Sequence, residues 1–117
     1  MTIANSTIAG NSADIGGGIR NVNGGIVKSS NTIIALNTSP NGPDVNGPLT
    51  SQGYNLIGTG AAATISSTNG DQIGTAVALI DPMLGPLQDN GGPTLTRKFR
   101  GGPEGQDLAG QANKALA

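Results

Sequence analysis

The side chains here with the chemistry to act as acids, bases or metal ligands are carboxylates. The chain has no histidine and no cysteine, which excludes Cys/His zinc sites, thiol nucleophiles and Ser-His-Asp triads. Seven acidic residues remain: Asp14, Asp44, Asp71, Asp81, Asp89, Glu104 and Asp107. Asp71, Asp81 and Asp89 are the candidate ligand site. Brought together by folding, they would resemble the acidic clusters, often with calcium, that bind or cleave polysaccharide. Each also sits in a turn signal: Asn69-Gly70-Asp71, Asp81-Pro82 and Asp89-Asn90-Gly91. Bonding the nearby backbone is the default role of Asp there. We therefore assign no catalytic residue, no metal ligand and no cofactor from the sequence.

Other motifs reduce to structure on the same test. Gly16-Gly17-Gly18 and Gly91-Gly92 are not followed by a helix with a Lys-Ser/Thr pair, so neither is a phosphate loop. Corner flexibility explains them better. Arg97, Lys98 and Arg100 form a short basic cluster, expected as a solvated tail. Charged residues are 11% of the chain and the net charge is −1, which leaves no electrostatic footprint for nucleic acid. Asn5-Ser6-Thr7 and Asn37-Thr38-Ser39 match the N-glycosylation pattern, a match that comes easily in an Asn/Ser/Thr-rich chain. Columns of Ser6/Thr32 and Ser12/Thr38 are too short and mixed for an ordered ice-binding face. Met1–Gly10 lacks the basic start and apolar core of a signal peptide. No stretch approaches the ~20 apolar residues of a membrane span.

The elements that would position these groups are dictated by an unusual composition. Gly (20), Ala (13), Asn (12), Thr (11) and Ser (8) dominate, against one Tyr, one Phe and no Trp. Large apolar residues are few, and 11 Ile with 4 Val make them mostly β-branched. An ordinary globule would struggle to offset roughly 1–2 kcal/mol of backbone entropy per residue with so thin a core. A repetitive β architecture needs fewer large side chains per layer. The repeat is visible. Asn5-Ser6-Thr7-Ile8-Ala9-Gly10-Asn11-Ser12 realigns on Asn31-Thr32-Ile33-Ile34-Ala35-Leu36-Asn37-Thr38 at one constant offset, with four of eight positions identical.

That period predicts a parallel stack in which like residues form columns. Ile8 and Ile34 would form an interior column. Asn5 with Asn31, and Asn11 with Asn37, would form amide ladders at the corners. Short strands are expected at Gly16–Asn21 and Gly24–Lys28, and later at Tyr54–Ile57, Ala62–Ile65 and Val77–Ile80. Pro40–Pro43 and Asn46–Pro48 read as loops, and Asp89–Pro93 as a tight turn between extended pieces. Asp107–Leu116 reads as a disordered tail or weak amphipathic helix. The fold class is thus all-β, with residues 1–42 as repeat coils, 43–96 as loop-decorated terminal coils, and 97–117 as a basic tail.

The strings "NSTIAGNSADIGGGIRNVNGG", "NTIIALNTSPNGPDVNG", "SQGYNLIG", "GDQIGT" and "IDPMLGPLQDNGGPTLT" resemble the bacterial choice-of-anchor Q domain proteins, relatives of the polymorphic outer-membrane-protein repeats. The resemblance covers about residues 2–96. It implies a right-handed parallel β-helix (a β-solenoid of few coils), export, and display at the cell surface. It implies no enzymatic activity. The expected function is a non-catalytic structural or adhesive module with glycans or other surface proteins as partners. The alternative is a carbohydrate-binding or polysaccharide-cleaving β-helix. Arg97–Pro103 departs from the pattern, and Met1 falls inside a repeat, so a C-terminal fragment with a divergent tail is expected. An open N-terminal coil at Met1–Ala13 is expected to be poorly ordered or covered by a second copy, by self-association.

Overall fold

The computed structural model describes residues 1–99, and among these all regular structure is strand. The first strands are β1 (Thr2–Ala4), β2 (Thr7–Ile8), β3 (Ile19–Arg20), β4 (Lys28–Ser30) and β5 (Ile33–Ile34). They are followed by β6 (Val45–Ser51), β7 (Leu56–Ile57), β8 (Ala63–Ser66) and β9 (Gln72–Ile73). A hairpin of β10 (Leu84–Gln88) and β11 (Thr96–Phe99) ends the described chain. Two parallel sheets carry the fold. One runs β1-β4-β6 with β3 and β8 also on β6, and the other runs β2-β5-β7-β9.

Register shows how the chain returns on itself. Between the first two passes every pairing advances by the same step, the one that carries Asn5 onto Asn31. Thr2 pairs with Lys28, Ile8 with Ile34 and Ile19 with Val45, and the isolated bridges Ser12–Thr38 and Ile15–Asn41 keep the step too. The advance then shortens. Lys28 pairs with Thr50, because Arg20 to Lys28 takes a long excursion that Asn46 to Thr50 omits. Ile34 pairs with Ile57, also a shorter step than before. Leu49 pairs with Ile65, and Ile57 with Ile73, the shortest of all. The last pass goes straight from β7 to β8, without the long corner that separates β5 from β6.

Strand β6 runs through Asn46-Gly47-Pro48, which the sequence suggested was a loop. A corner is built inside this strand. Its first residues pair with β3 and its last with β4. Gly47 makes the bend at φ 95°, where a Cβ would collide with the Asn21 carbonyl. Asn21, buried beside it, donates through Nδ2 to the Pro48 carbonyl at 2.8 Å and to Gly25 O at 2.9 Å. The long excursion of the first pass is thereby tied to the bend of the second.

Adjacent apolar pairs face opposite ways, as strand alternation requires. Ile34 and Ile57 point inward with Ile19, Val27, Val45 and Leu49, flanked by Ile3, Ile8, Ala63, Ile65 and Ile73. Ile33 and Leu56 point to the other face, and the β10–β11 hairpin covers them with Leu84 and Phe99. A run buried on both faces reads as continuously apolar, which is why "TII" and "NLI" showed no alternation. The hairpin also moves a boundary. The break expected after residue 96 falls inside β11, and Arg97 donates through Nη1 to Gly85 O at 3.1 Å. Arg97–Phe99 are thus part of the packed fold and not of a solvated tail.

Val77–Ile80 is not a strand. Thr75 and Ala78 exchange backbone hydrogen bonds in a turn, and Val77 is 98% exposed. The expected tail segment Asp107–Leu116 lies outside the described residues.

Truncating the inward column measures what this thin core contributes. Ile57→Ala should lower unfolding free energy by about 2–5 kcal/mol, whereas Val77→Ala should stay within about 0.5 kcal/mol. Urea denaturation of the two variants side by side checks the assignment.

Candidate functional site

Corners require left-handed backbone, and the same columns supply it in pass after pass. Asn5 and Asn31 (φ 51° each), Tyr54 (59°) and Gly70 (77°) occupy equivalent places in four passes. Gly10 (74°) and Leu36 (62°) do so at a second corner. Asn tolerates this conformation because its short polar side chain bonds locally. Asn31 Nδ2 donates to Asn5 Oδ1 at 2.7 Å. The amide column stops there, because Tyr54 follows, and Asn31 Oδ1 is buried without a hydrogen-bond partner among the described residues. The Tyr54 ring lies over Gly70, where a Cβ would overlap it.

After Asn5, Asn31, Tyr54, Gly10 and Leu36 the next residue's N–H leaves its own strand and is received by a side-chain oxygen, on the next pass in every case but one. After Gly70 the Asp71 N–H instead turns back to Thr68 O. At the first corner Ser6 N donates to Thr32 Oγ1 (3.4 Å), Thr32 N to Asn55 Oδ1 (3.2 Å), and Asn55 N to Asp71 Oδ1 (3.0 Å). At the second, Asn11 N donates to Asn37 Oδ1 (3.1 Å) and Asn37 N to Asp44 Oδ1 (3.2 Å). The Asn side chains reinforce the pattern. Asn11 Nδ2 joins its own N–H on Asn37 Oδ1 at 3.1 Å, Asn37 Nδ2 reaches Asp44 Oδ1 at 3.0 Å, and Asn55 Nδ2 reaches Asp71 Oδ1 at 3.2 Å. Asn37 and Asn55 are buried, so an unmatched donor there would cost about 1–3 kcal/mol.

Both columns end on a carboxylate. The reason is donor count: an ionised Asp accepts on both oxygens and brings no N–H that needs a further partner. Asp71 Oδ2 also accepts Thr68 N at 2.8 Å, which turns the chain back on itself. Burial pushes the Asp71 carboxyl up, but hydrogen bonds from Ser51, Thr68 and Asn55 outweigh it and leave it below its ordinary value of 3.8. Asp44 is 3% exposed, and its Oδ2 accepts Thr59 N at 2.9 Å. It substitutes for a missing rung. Gly60 stands three residues after Ile57, as Asn37 stands three after Ile34, and has no side chain to offer. Asp44 reaches in from the corner instead, seven residues beyond Asn37.

The three expected ligand carboxylates are dispersed among separate turns. Asp71 ends the first column. Asp81 accepts Met83 N at 2.8 Å and Asp89 accepts Gly91 N at 2.9 Å, both exposed. Among the described residues no three His, Cys, Asp or Glu side chains gather into a group fit to hold a metal ion. Asp44 was not singled out by sequence. An Asp between Pro43 and the β-branched Val45 was the available signal. The Ser6/Thr32 column is not a water-ordering face, since Thr32 is buried within it.

One cleft adjoins this framework, with a volume of about 460 Å³. Asn37, Asp44, Gly58 and Thr59 line it together with Thr38, Ser39 and Pro43, and Leu36, Leu79, Ile80 and Asp81 complete the lining. Apolar side chains beside hydroxyls and one exposed carboxylate make an amphipathic surface. Asp44 is buried and committed to three N–H groups, so Asp81 is the carboxylate exposed at the wall of the cleft. Among the described residues no helix is long and apolar enough to cross a membrane. No known protein family matches this chain, and no curated protein or solved structure does either.

Two substitutions separate these carboxylates. Asp44→Asn sets an amide N–H against a backbone N–H and should cost about 2–3 kcal/mol at pH 7. Asp71, with its folded value lowered, contributes stability that is complete above its unfolded value near 3.8 and disappears as pH falls through the folded one. Asp71→Asn should therefore flatten part of the acid limb of the stability–pH curve. Urea midpoints from pH 7 to pH 2.5 read both effects.

Proposed function

We propose that this chain is a right-handed parallel β-helix module of a bacterial cell-surface or secreted protein, with a structural or adhesive role and no catalytic activity. One observation carries the proposal: its buried polar side chains act across passes to hold neighbouring backbone. Thr32 accepts Ser6 N, Asn37 accepts Asn11 N and donates to Ile8 O, Asn55 accepts Thr32 N and donates to Ser29 O, and Asp44 accepts Thr59 N. The constant advance kept along three separate strand pairings is what stacked coils of equal length produce. The resemblance of residues 2–96 to choice-of-anchor Q domain proteins points the same way and supplies the surface location. Such a module extends and presents surface.

A second reading is carbohydrate binding at the Asp81 cleft, favoured by its apolar walls beside Thr38, Ser39 and Thr59. Sugar rings offer an apolar face edged with hydroxyls, which this mixture suits. A glycan array probes binding and a reducing-end assay on the same polysaccharides probes cleavage. The scaffold reading expects no release of reducing ends, from the native chain or from the Asp71→Ala/Asp81→Ala pair. Release by the native chain that the pair loses would overturn it. Glycan capture that only Asp81→Ala abolishes would establish the second reading.

A further inference from the structure

We propose that Asn23 is a site of spontaneous covalent modification, deamidation through a cyclic imide that its neighbour Gly24 closes. The chain holds five Asn-Gly pairs: Asn23-Gly24, Asn41-Gly42, Asn46-Gly47, Asn69-Gly70 and Asn90-Gly91. Asparagine is a thermolabile residue, and a following glycine has no Cβ to shield its nitrogen from the side-chain amide carbon. By sequence the five are therefore alike. Closing the ring brings the glycine nitrogen onto Asn Cγ. That requires rotation of the peptide plane carrying the asparagine C=O and the glycine N–H. A hydrogen bond on either group, or on the side-chain nitrogen that must leave, opposes the step by what its breaking costs.

The fold separates the five. Asn46 O accepts Asn21 N at 2.9 Å, and Gly47 N donates to Ala62 O at 3.0 Å. Asn41 O accepts Gly16 N at 3.0 Å and the Ser39 hydroxyl at 2.9 Å. Asn69 O accepts Tyr54 N at 3.0 Å, and the Tyr54 ring lies over Gly70. Gly91 N donates to Asp89 Oδ1 at 2.9 Å, while Asn90 Nδ2, the group that must leave, donates to Thr96 O at 3.0 Å. Asn23 has none of these restraints. Among the described residues its C=O, its side-chain amide and the Gly24 N–H have no hydrogen-bond partner. A single turn bond spans the pair, from Gly25 N to Val22 O at 3.2 Å. Both residues are exposed, and no atom stands within 4 Å of where a Gly24 Cβ would be. They lie on the excursion from Arg20 to Lys28 that the second pass omits, so no neighbouring pass covers them.

Hydroxide and water are the co-reactants. Base takes the Gly24 N–H proton, the nitrogen bonds to Asn23 Cγ, and Nδ2 gains a proton and leaves as ammonia. One water then opens the imide. Attack at one carbonyl gives aspartate, and attack at the other leaves the main chain running through Cγ as isoaspartate. Either product makes the excursion one charge more negative. Incubation of the full chain at pH 8, folded and in concentrated guanidinium chloride, tests this by mass-spectrometric peptide mapping. Folded, Asn23 should convert at least about tenfold faster than the other four, since each of those must first break its hydrogen bonds. In denaturant the five should convert at similar rates. Asn23→Ser should abolish the early acidic species on isoelectric focusing, with an unchanged circular dichroism spectrum. Another pair converting first in the folded chain, five equal rates there, no conversion there, or an Asn23 preference that persists in denaturant would each overturn the proposal.

Discussion

An N–H that points out of its own strand, one residue past a left-handed corner, is the constraint on which this fold depends. The left-handed residue redirects the chain and takes the next amide out of the regular ladder. Buried and unmatched, that donor would destabilise every corner. The solution repeats: a side-chain oxygen accepts it, from the equivalent residue one pass away for Ser6, Thr32, Asn55 and Asn11, and from Asp44 for Asn37. Ser, Thr, Asn and Asp are the side chains short enough to do this from a corner while tolerating its backbone. Much of the polar composition follows from that single requirement, including the burial of Thr32, Asn37 and Asn55 in a chain with few large apolar residues.

The same constraint gives the stack a direction. The N–H groups of Ser6, Asn11, Thr32 and Asn55 donate to the later pass, so each column needs a last member that accepts and offers no donor of its own along the column. Asp71 and Asp44 are those members, one by register and the other by intrusion from a neighbouring corner. The two ends of the molecule are therefore chemically unlike, with acceptors at Ser6 and Asn11 at the start and carboxylates at the finish. Carboxylates held this way are structural. That is why three acidic residues that looked able to converge on a ligand are instead spread among turns and column ends.

The first two passes were legible in the sequence because they have equal length, so Asn5, Ile8 and Asn11 fall on Asn31, Ile34 and Asn37 at one offset. Later passes were not, because a shortened excursion and then a missing corner each change the advance, from Lys28–Thr50 and Ile34–Ile57 to Ile57–Ile73. Ser6, Thr32, Asn55 and Asp71 form one column, yet they are four residue types at three different spacings. Asp44 was harder still, since it serves a column from within its own pass. Val77–Ile80 misled for the opposite reason: its apolar pattern suits a strand, but the Thr75–Ala78 turn breaks the run, and Ile80 bonds back through its N–H to Gly58 O. The hairpin was readable as a turn between extended pieces, while its contact with Ile33 and Leu56 depends on tertiary packing that local pattern does not encode.

Native-state hydrogen exchange at the amides of Thr32, Asn37 and Asn55 addresses the corner mechanism most directly, because these N–H groups donate to side chains and to no backbone carbonyl of a ladder. They should exchange as slowly as the ladder amides of Ile33 and Leu56, through opening of the whole stack. Asp44→Ala should then release Asn37, and Asp71→Ala should release Asn55, each without freeing the other. Fast exchange at Asn37 and Asn55 in the native chain, matching the Thr75–Ala78 turn, would contradict the mechanism.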